Sequence, residues 1–190
     1  VYLNGKKVKD ITTHPGLRNG VQTIANLLDM QHDVKLRDEM TYESPTTGDR
    51  VGLSFLTPRT IEDLERRRGM MQHWARTTCG MMGRSPDFMN VNMMAMAAAG
   101  DYFAQNRPEF KKNVLDYHEF IRENDITLTH TLVNLQKSRI PGMADNLDEQ
   151  VALTVMRETD AGIIVKGSRM LATLGPITDE IAVYPTRSHL

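Results

Sequence analysis

Residues 79–90, Cys-Gly-Met-Met-Gly-Arg-Ser-Pro-Asp-Phe-Met-Asn, join two helical stretches through a glycine turn and set one arginine at the mouth of a helix. Ser85 suits an N-cap, Pro86 suits a first helical position that needs no amide donor, and Asp87 suits the positive helix end. Arg84 stands just outside that end. A cation there is locally unfavourable, so it calls for an anionic partner or a task. A surface arginine paired with Asp87 is the plain alternative. Gly80 and Gly83 allow backbone to approach closely.

Upstream, the pattern is mostly helical. Val1 to Val8 reads as an extended piece turning at Asn4-Gly5, and His14 before Pro15 as a loop histidine making local bonds. Leu17, Val21, Ile24 and Leu28 recur at helical spacing. Residues 44–49 form a polar turn cluster. Thr60 opens a Thr-x-x-Asp capping box, and Ile61, Leu64, Met71 and Ala75 mark the inner face of the helix that follows. Arg66, Arg67 and Arg68 lie beside Glu62, Asp63 and Glu65 and read as a solvated face. Downstream, residues 86–105 form one helix, with Phe88, Val91, Ala95, Ala99 and Tyr102 on one face. The methionine- and alanine-rich run 93–99 suggests burial on several sides. Pro108 starts a helix with Phe110, Val114, Tyr117 and Ile121 on its stripe, ending near Asn124. Residues 1–125 thus read as an all-helical domain.

From Thr127 the period changes. Val151, Leu153 and Val155 alternate, Thr159 to Gly162 reads as a hairpin turn, and Met170 to Thr173 and Ile181 to Tyr184 are further strands. Residues 140–149 read as a polar connection. Residues 126–190 therefore read as a β domain, and the class is α+β.

Composition excludes several functions. The 190 residues are 40% hydrophobic and 25% charged, with a net charge of −1, so no global field recruits nucleic acid or an anionic membrane. One cysteine permits no internal disulfide and fits a reducing compartment. No apolar run resembles a membrane span or a signal peptide, and a cytoplasmic location is expected. No metal site is expected. The first residue is Val1 rather than methionine, and the chain stops at Leu190 soon after a string of strand-like segments; a piece of a longer protein is expected.

Three segments in order, GMMGRSPDF (80–88), THTLVNLQKSR (129–139) and ETDAGIIVKGSRMLAT (158–173), resemble the 4-hydroxyphenylacetate 3-monooxygenase family, the oxygenase components of two-component flavin-dependent phenol hydroxylases. The resemblance runs along the whole chain. It implies an acyl-CoA dehydrogenase-like fold: an N-terminal helical domain, a middle β-barrel, and a C-terminal helical bundle absent from this chain. It implies ortho-hydroxylation of a phenol by reduced FAD and oxygen through a flavin C4a-hydroperoxide. A separate NAD(P)H-flavin reductase would supply the reduced flavin, since no Gly-x-Gly-x-x-Gly nicotinamide signature occurs here. A homotetramer is implied too.

The same resemblance assigns residues. Arg84 and His130 match the arginine and histidine that meet the phenolic oxygen, with Phe88 beside the substrate. A phenolate activates its ortho carbon better than a phenol; a histidine can take the proton, and a fixed guanidinium can stabilise the oxyanion. Flavin contacts fall on His130, Thr131, Leu132, Gln136, Lys137, Ser138, Arg139 and Thr173, the last expected within a strand. Taken alone, His130 between threonines reads as a structural histidine, and Gln136 and Arg139 as surface polar residues. Three positions depart from the family pattern: Phe88 stands where a tyrosine is usual, Leu135 where a proline is, and Val133 where a threonine is. These leave the named substrate open.

Two other readings compete. A 4-hydroxybutyryl-CoA dehydratase, with FAD and an iron–sulfur cluster, needs a Cys-x-x-x-Cys pair in the arginine loop. Cys79 fills the first position but Gly83 the second, so Cys79 reads instead as a small buried residue. A non-catalytic binding module would leave Arg84 and His130 with no shared apolar cavity.

Overall fold

The computed structural model describes residues 1–133 and 153–184. Its content is mixed helix and strand, organised as two compact units: Val1–Leu128 with Pro176–Glu180, and Thr129–Gly175 with Ile181–Leu190. Gln136, Lys137, Ser138 and Arg139, with Leu135 and the expected connection at 140–149, lie outside the described residues.

The first unit is not all-helical. It holds α1 (Arg18–Asp29), α2 (Arg37–Met40), α3 (Ile61–Thr77), α4 (Asp87–Ala98), α5 (Gly100–Ala104) and α6 (Pro108–Glu123). Two antiparallel hairpins accompany them, β1 (Tyr2–Leu3) with β2 (Lys6–Lys7), and β3 (Thr41–Glu43) with β4 (Arg50–Gly52). Helical periodicity could not register them, because each strand is two or three residues long. The Asn4-Gly5 turn is as expected, both residues having positive φ.

Leu27, Met40, Leu53, Met70 and Trp74 form the buried core of this unit. Trp74 fills it with an indole whose Nε1 donates to the Leu27 carbonyl at 2.9 Å, so its one polar atom is satisfied. The α3 start follows the sequence: Thr60 and Asp63 exchange both bonds of a capping box. Its buried face does not. Ile61 and Leu64 are exposed, while Arg67, Met70 and Trp74 point inward. Spacing of 67, 70 and 74 is equally helical, and the indole and the Met70 side chain fix which stripe is buried. Arg67 is carried in with them, its Nη1 donating to the Leu56 carbonyl at 2.6 Å. Burial lowers the Arg67 pKa from its usual value, with the charges of Asp87 and Tyr42 pulling the other way.

The expected helix 86–105 is broken at Ala99, whose N–H reaches back to Ala95 and Met96 before α5 begins. Gly100 lies against α6, where an added Cβ would come within 3.2 Å of the Lys111 side chain. In α4, Met89, Asn90, Met93, Met94 and Ala97 face inward and Phe88 and Ala95 are exposed, as are Ala99 beyond its end and Tyr102 in α5. Burial of the methionine run is one-sided.

Helix α6 is tied to the β3–β4 turn by a polar cluster. Glu123 accepts from Ser44 Oγ (2.6 Å), Thr47 Oγ1 (2.9 Å) and Arg122 Nε (2.7 Å), and Arg122 Nη2 donates to Thr46 Oγ1 at 2.8 Å. Segment 176–180 completes this unit: Thr127 N donates to Asp179 Oδ2, Thr178 Oγ1 donates to the Thr127 carbonyl, and Tyr117 Oη donates to Glu180.

The second unit contains the antiparallel hairpin β6 (Thr154–Thr159) and β7 (Gly162–Lys166). The turn is Asp160-Ala161, with Thr159 opposite Gly162, whose φ of 130° suits a glycine. A bulge at Met156 shifts the register between Val155 and Arg157. Strand β5 (Leu128–Thr131) pairs with β8 (Glu180–Val183). Met170 to Thr173 is not a strand: Met170 makes a single bridge to Val133, Leu171 turns left-handed at φ 65°, and Thr173 lies in a turn.

Candidate functional site

In the first unit the candidate residues sit where α3 gives way to α4. The Gly80 amide bonds the Ala75 carbonyl (2.8 Å) and the Cys79 amide bonds that of Arg76 (3.1 Å), the paired bonds of a Schellman motif. The left-handed position, φ 53°, falls on Cys79 rather than on a glycine. Its side chain is exposed, which corrects the expected buried cysteine. The loop is therefore fixed at its base by backbone geometry.

Helix α4 starts at Asp87, one residue later than the sequence suggests. Ser85 does not cap it: the hydroxyl donates to Asp87 Oδ1 at 2.6 Å, while the Ser85 carbonyl accepts from the Phe88 amide. That bond holds the hydroxyl against a carboxylate two residues on, and no helix amide donates to it. Arg84 is exposed, and its guanidinium carbon lies 4.5 Å from the centre of the Phe88 ring. Among the described residues no carboxylate pairs with Arg84. The ring, 41% exposed, takes the place of the expected anion. Phe88 is thus a platform that presents the arginine.

In the second unit His130 and Thr131 lie in β5, with Leu132 directly after it. His130 is 8% exposed, and the Tyr184 ring meets it edge to face at 6.4 Å between centroids. Burial raises the Tyr184 phenol pKa. Thr131 Oγ1 donates to the Met170 carbonyl (2.7 Å), the Met170 amide donates to the Val133 carbonyl (2.8 Å), and Arg169 Nη1 donates to the Leu132 carbonyl (3.2 Å). The strand end carrying His130 is thereby laced to residues 169–170. Thr173 is exposed in its turn. Close by, a cavity of about 420 Å³ is walled by Val155, Ile163, Val165, Val183 and Tyr184, with Arg169 on its lining. Tyr184 and Arg169 were not singled out from sequence; Arg169 stood inside the quoted segment 158–173, where nothing separates it from a surface cation.

A family model described as 4-hydroxyphenylacetate 3-hydroxylase N terminal matches residues 1–190. The chain belongs to this family. The resemblance drawn from the three segments is therefore confirmed. A relative in this hydroxylase family, the 4-hydroxyphenylacetate 3-monooxygenase oxygenase component of Geobacillus sp. (strain PA-9), is 47% identical over 186 residues, 98% of this chain and 37% of the relative. A crystal structure of the oxygenase component (HpaB) of 4-hydroxyphenylacetate 3-monooxygenase, complexed with FAD and 4-hydroxyphenylacetate, superposes with a TM-score of 0.86 at 44% identity. It is covered to 37% by 96% of this chain. An archaeal 4-hydroxybutyryl-CoA dehydratase from N. maritimus, 17% identical, aligns with a TM-score of 0.80 over 97% of this chain and 36% of its own, a likeness of fold alone. The chain thus spans a little over a third of the length of these proteins. Among the described residues no helix is long and apolar enough to cross a membrane, and no group of His, Cys, Asp and Glu is arranged to hold a metal ion.

Proposed function

We propose that this chain is the N-terminal part of an oxygenase component that hydroxylates a phenol ortho to its hydroxyl group, with 4-hydroxyphenylacetate as the first substrate to try. Its fold is then acyl-CoA dehydrogenase-like, with a helical domain over 1–125 and the start of a β domain over 126–190. The observation that carries the reading is the 0.86 TM-score to an oxygenase component solved with FAD and 4-hydroxyphenylacetate.

The residues fit a flavin by their chemistry. A largely apolar cavity in the second unit, walled by Val155, Ile163, Val165 and Val183 with Thr154, Arg169 and Tyr184 as its polar members, suits a flat fused ring with polar edges. His130, Thr131, Leu132 and Thr173, together with Gln136, Lys137, Ser138 and Arg139, are the proposed flavin contacts. Bound reduced FAD would supply the activated oxygen that reaches the ring. The chain's own task is to prepare the phenol. His130 takes the phenolic proton, Arg84 stabilises the resulting oxyanion, and Phe88 holds Arg84 while presenting an apolar face to the substrate. A separate flavin reductase, a homotetrameric assembly and a cytoplasmic location complete the proposal.

The test mixes the intact protein with reduced FAD and oxygenated buffer, with and without 4-hydroxyphenylacetate, and quantifies catechol and hydrogen peroxide. Catechol in excess of peroxide supports the reading. Oxidation of the flavin at its free rate, with no catechol from this or other simple phenols, overturns it.

A further inference from the structure

A second cavity, of about 290 Å³, opens in the first unit where the turn Met30–His32 after α1, helix α2, the β3–β4 hairpin and the end of α6 come together. Its polar lining carries both signs of charge. Much of that charge is spent internally. Glu123 is met by Ser44, Thr47 and Arg122, and Arg50 reaches Asp38 Oδ1 and Thr41 Oγ1, each at 2.9 Å. Asp125 is different. It sits just past the last turn of α6, at φ 49°, where the Ile126 amide bonds the Ile121 carbonyl at 3.0 Å to close the helix. A carboxylate is unwelcome there, because the helix end is itself negative. Burial raises the Asp125 pKa, and the Gln31 bond and the charge of His32 oppose this only in part. Oδ2 accepts from Gln31 Nε2 at 2.9 Å; among the described residues Oδ1 accepts nothing, and no cation lies within ion-pair distance. The carboxylate is half-buried and lines the cavity. Arg37 is exposed on the same lining, and among the described residues its guanidinium has neither a hydrogen bond nor a carboxylate. An exposed arginine alone signals nothing. Over the same cavity as an under-satisfied carboxylate, it completes a pair of opposite, unspent charges.

We infer that this cavity binds a small zwitterion, its ammonium group on Asp125 and its carboxylate on Arg37. The signs decide the class. A simple anion meets the Asp125 and Glu123 carboxylates, and a simple cation meets Arg37, Arg50 and Arg122. A molecule carrying both charges meets each with its opposite. A volume at the low end for ligand sites suits an α-amino acid with a small side chain. Gly52 belongs to the same lining and leaves room for Gln31, since an added Cβ would come within 2.4 Å of Gln31 Oε1. That close approach keeps Gln31 where it holds Asp125. None of the proposed phenol and flavin contacts lines this cavity.

The test is isothermal titration calorimetry of the intact protein at neutral pH with glycine, alanine, serine and threonine, each beside its N-acetyl derivative and its amide. At least one free amino acid binds saturably, and both of its blocked forms bind roughly ten- to hundredfold more weakly, the loss expected for one charge-assisted bond. Asp125→Asn keeps a residue that tolerates the left-handed position and keeps an acceptor for Gln31, and removes the charge; Arg37→Gln removes the other charge. Each weakens the free amino acid by the same factor, and Asp125→Asn closes the gap between it and its N-acetyl form. No saturable binding by any member of the panel up to about 10 mM overturns the inference. So does binding that either substitution leaves within about twofold of wild type, or that survives N-acetylation unchanged. Should a variant fail to fold, the blocked ligands decide the matter on the wild-type protein.

Discussion

Removing the Glu123 carboxylate tests whether the α6 to β3–β4 tie holds the first unit together. In the Glu123→Ala variant, Ser44 Oγ, Thr47 Oγ1 and Arg122 Nε all lose their acceptor. The Arg122 side chain is 7% exposed and keeps Thr46 Oγ1, while the Glu123 side chain is 16% exposed. Breaking a buried pair from one side costs about 3–5 kcal/mol, and the residual exposure of Glu123 places this case near about 3. For a protein of this size that is a fall in Tm of about 6–12 °C, at about 2–4 °C per kcal/mol. Circular dichroism at 222 nm on wild type, Glu123→Ala and the double variant Arg122→Met/Glu123→Leu measures it, the double variant recovering part of the loss because no charge is left unpaired. The pH dependence has a definite sign. Burial raises the Glu123 pKa, but hydrogen bonds from Ser44, Arg122 and Thr47 outweigh it, and the net pKa is lowered. The advantage over Glu123→Gln is therefore full above the unfolded glutamate value of about 4.3 and fades as pH falls through the folded value. A Tm drop below about 2 °C, or a gap that widens on acidification, would refute the reasoning.

Other perturbations probe the rest of the molecule. Cys79→Gly relieves the left-handed cysteine at the Schellman position and raises Tm by about 2–4 °C for about 1 kcal/mol; an unchanged or lower Tm counts against strain there. Phe88→Leu removes the ring beneath Arg84, a contact of about 0.5–1 kcal/mol, and raises the KM for the phenol about two- to fivefold with kcat within twofold; a collapse of kcat instead shows that Phe88 does more than hold the arginine. His130→Asn lowers catechol formation by about 10²–10⁴ while reduced flavin still oxidises to peroxide; unchanged catechol formation removes His130 as the base. Trp74→Phe strands the Leu27 carbonyl and destabilises by about 1–3 kcal/mol in thermal melts, and a neutral result contradicts the core assignment.

Much of this was legible in the chain of letters because it is local. The Thr60/Asp63 box, the Asn4-Gly5 turn and the Thr159 to Gly162 hairpin each depend on a few adjacent residues with one favoured conformation. The inner face of α3 was not, because two stripes compete and hydropathy ranks Arg67 as exposed. Only the tertiary position of the Leu56 carbonyl lets a guanidinium go inside. Ser85 does not cap α4: its hydroxyl donates to Asp87 Oδ1 and accepts from no helix amide, and the helix starts one residue later than Pro86 suggests. The arginine loop was found, and Arg84 with Phe88 came from a motif, but their stacking is a matter of coordinates. Thr173 was placed in a strand by β propensity, whereas the left-handed Leu171 ends the extended run two residues earlier.

The return of residues 176–180 to the helical unit has a consequence for how the protein is made. Thr178 and Asp179 bond Thr127 across 51 and 52 positions of sequence, and Glu180 accepts from Tyr117 across 63. A ribosome releasing this chain finishes the helices long before the segment that closes them emerges. The helical unit must therefore wait, open along that edge, until the intervening residues have left the exit tunnel. The entropic toll of closing so long a loop rises only logarithmically with its length. It is the order of synthesis that makes the last stitch of the first unit one of the latest events in its folding.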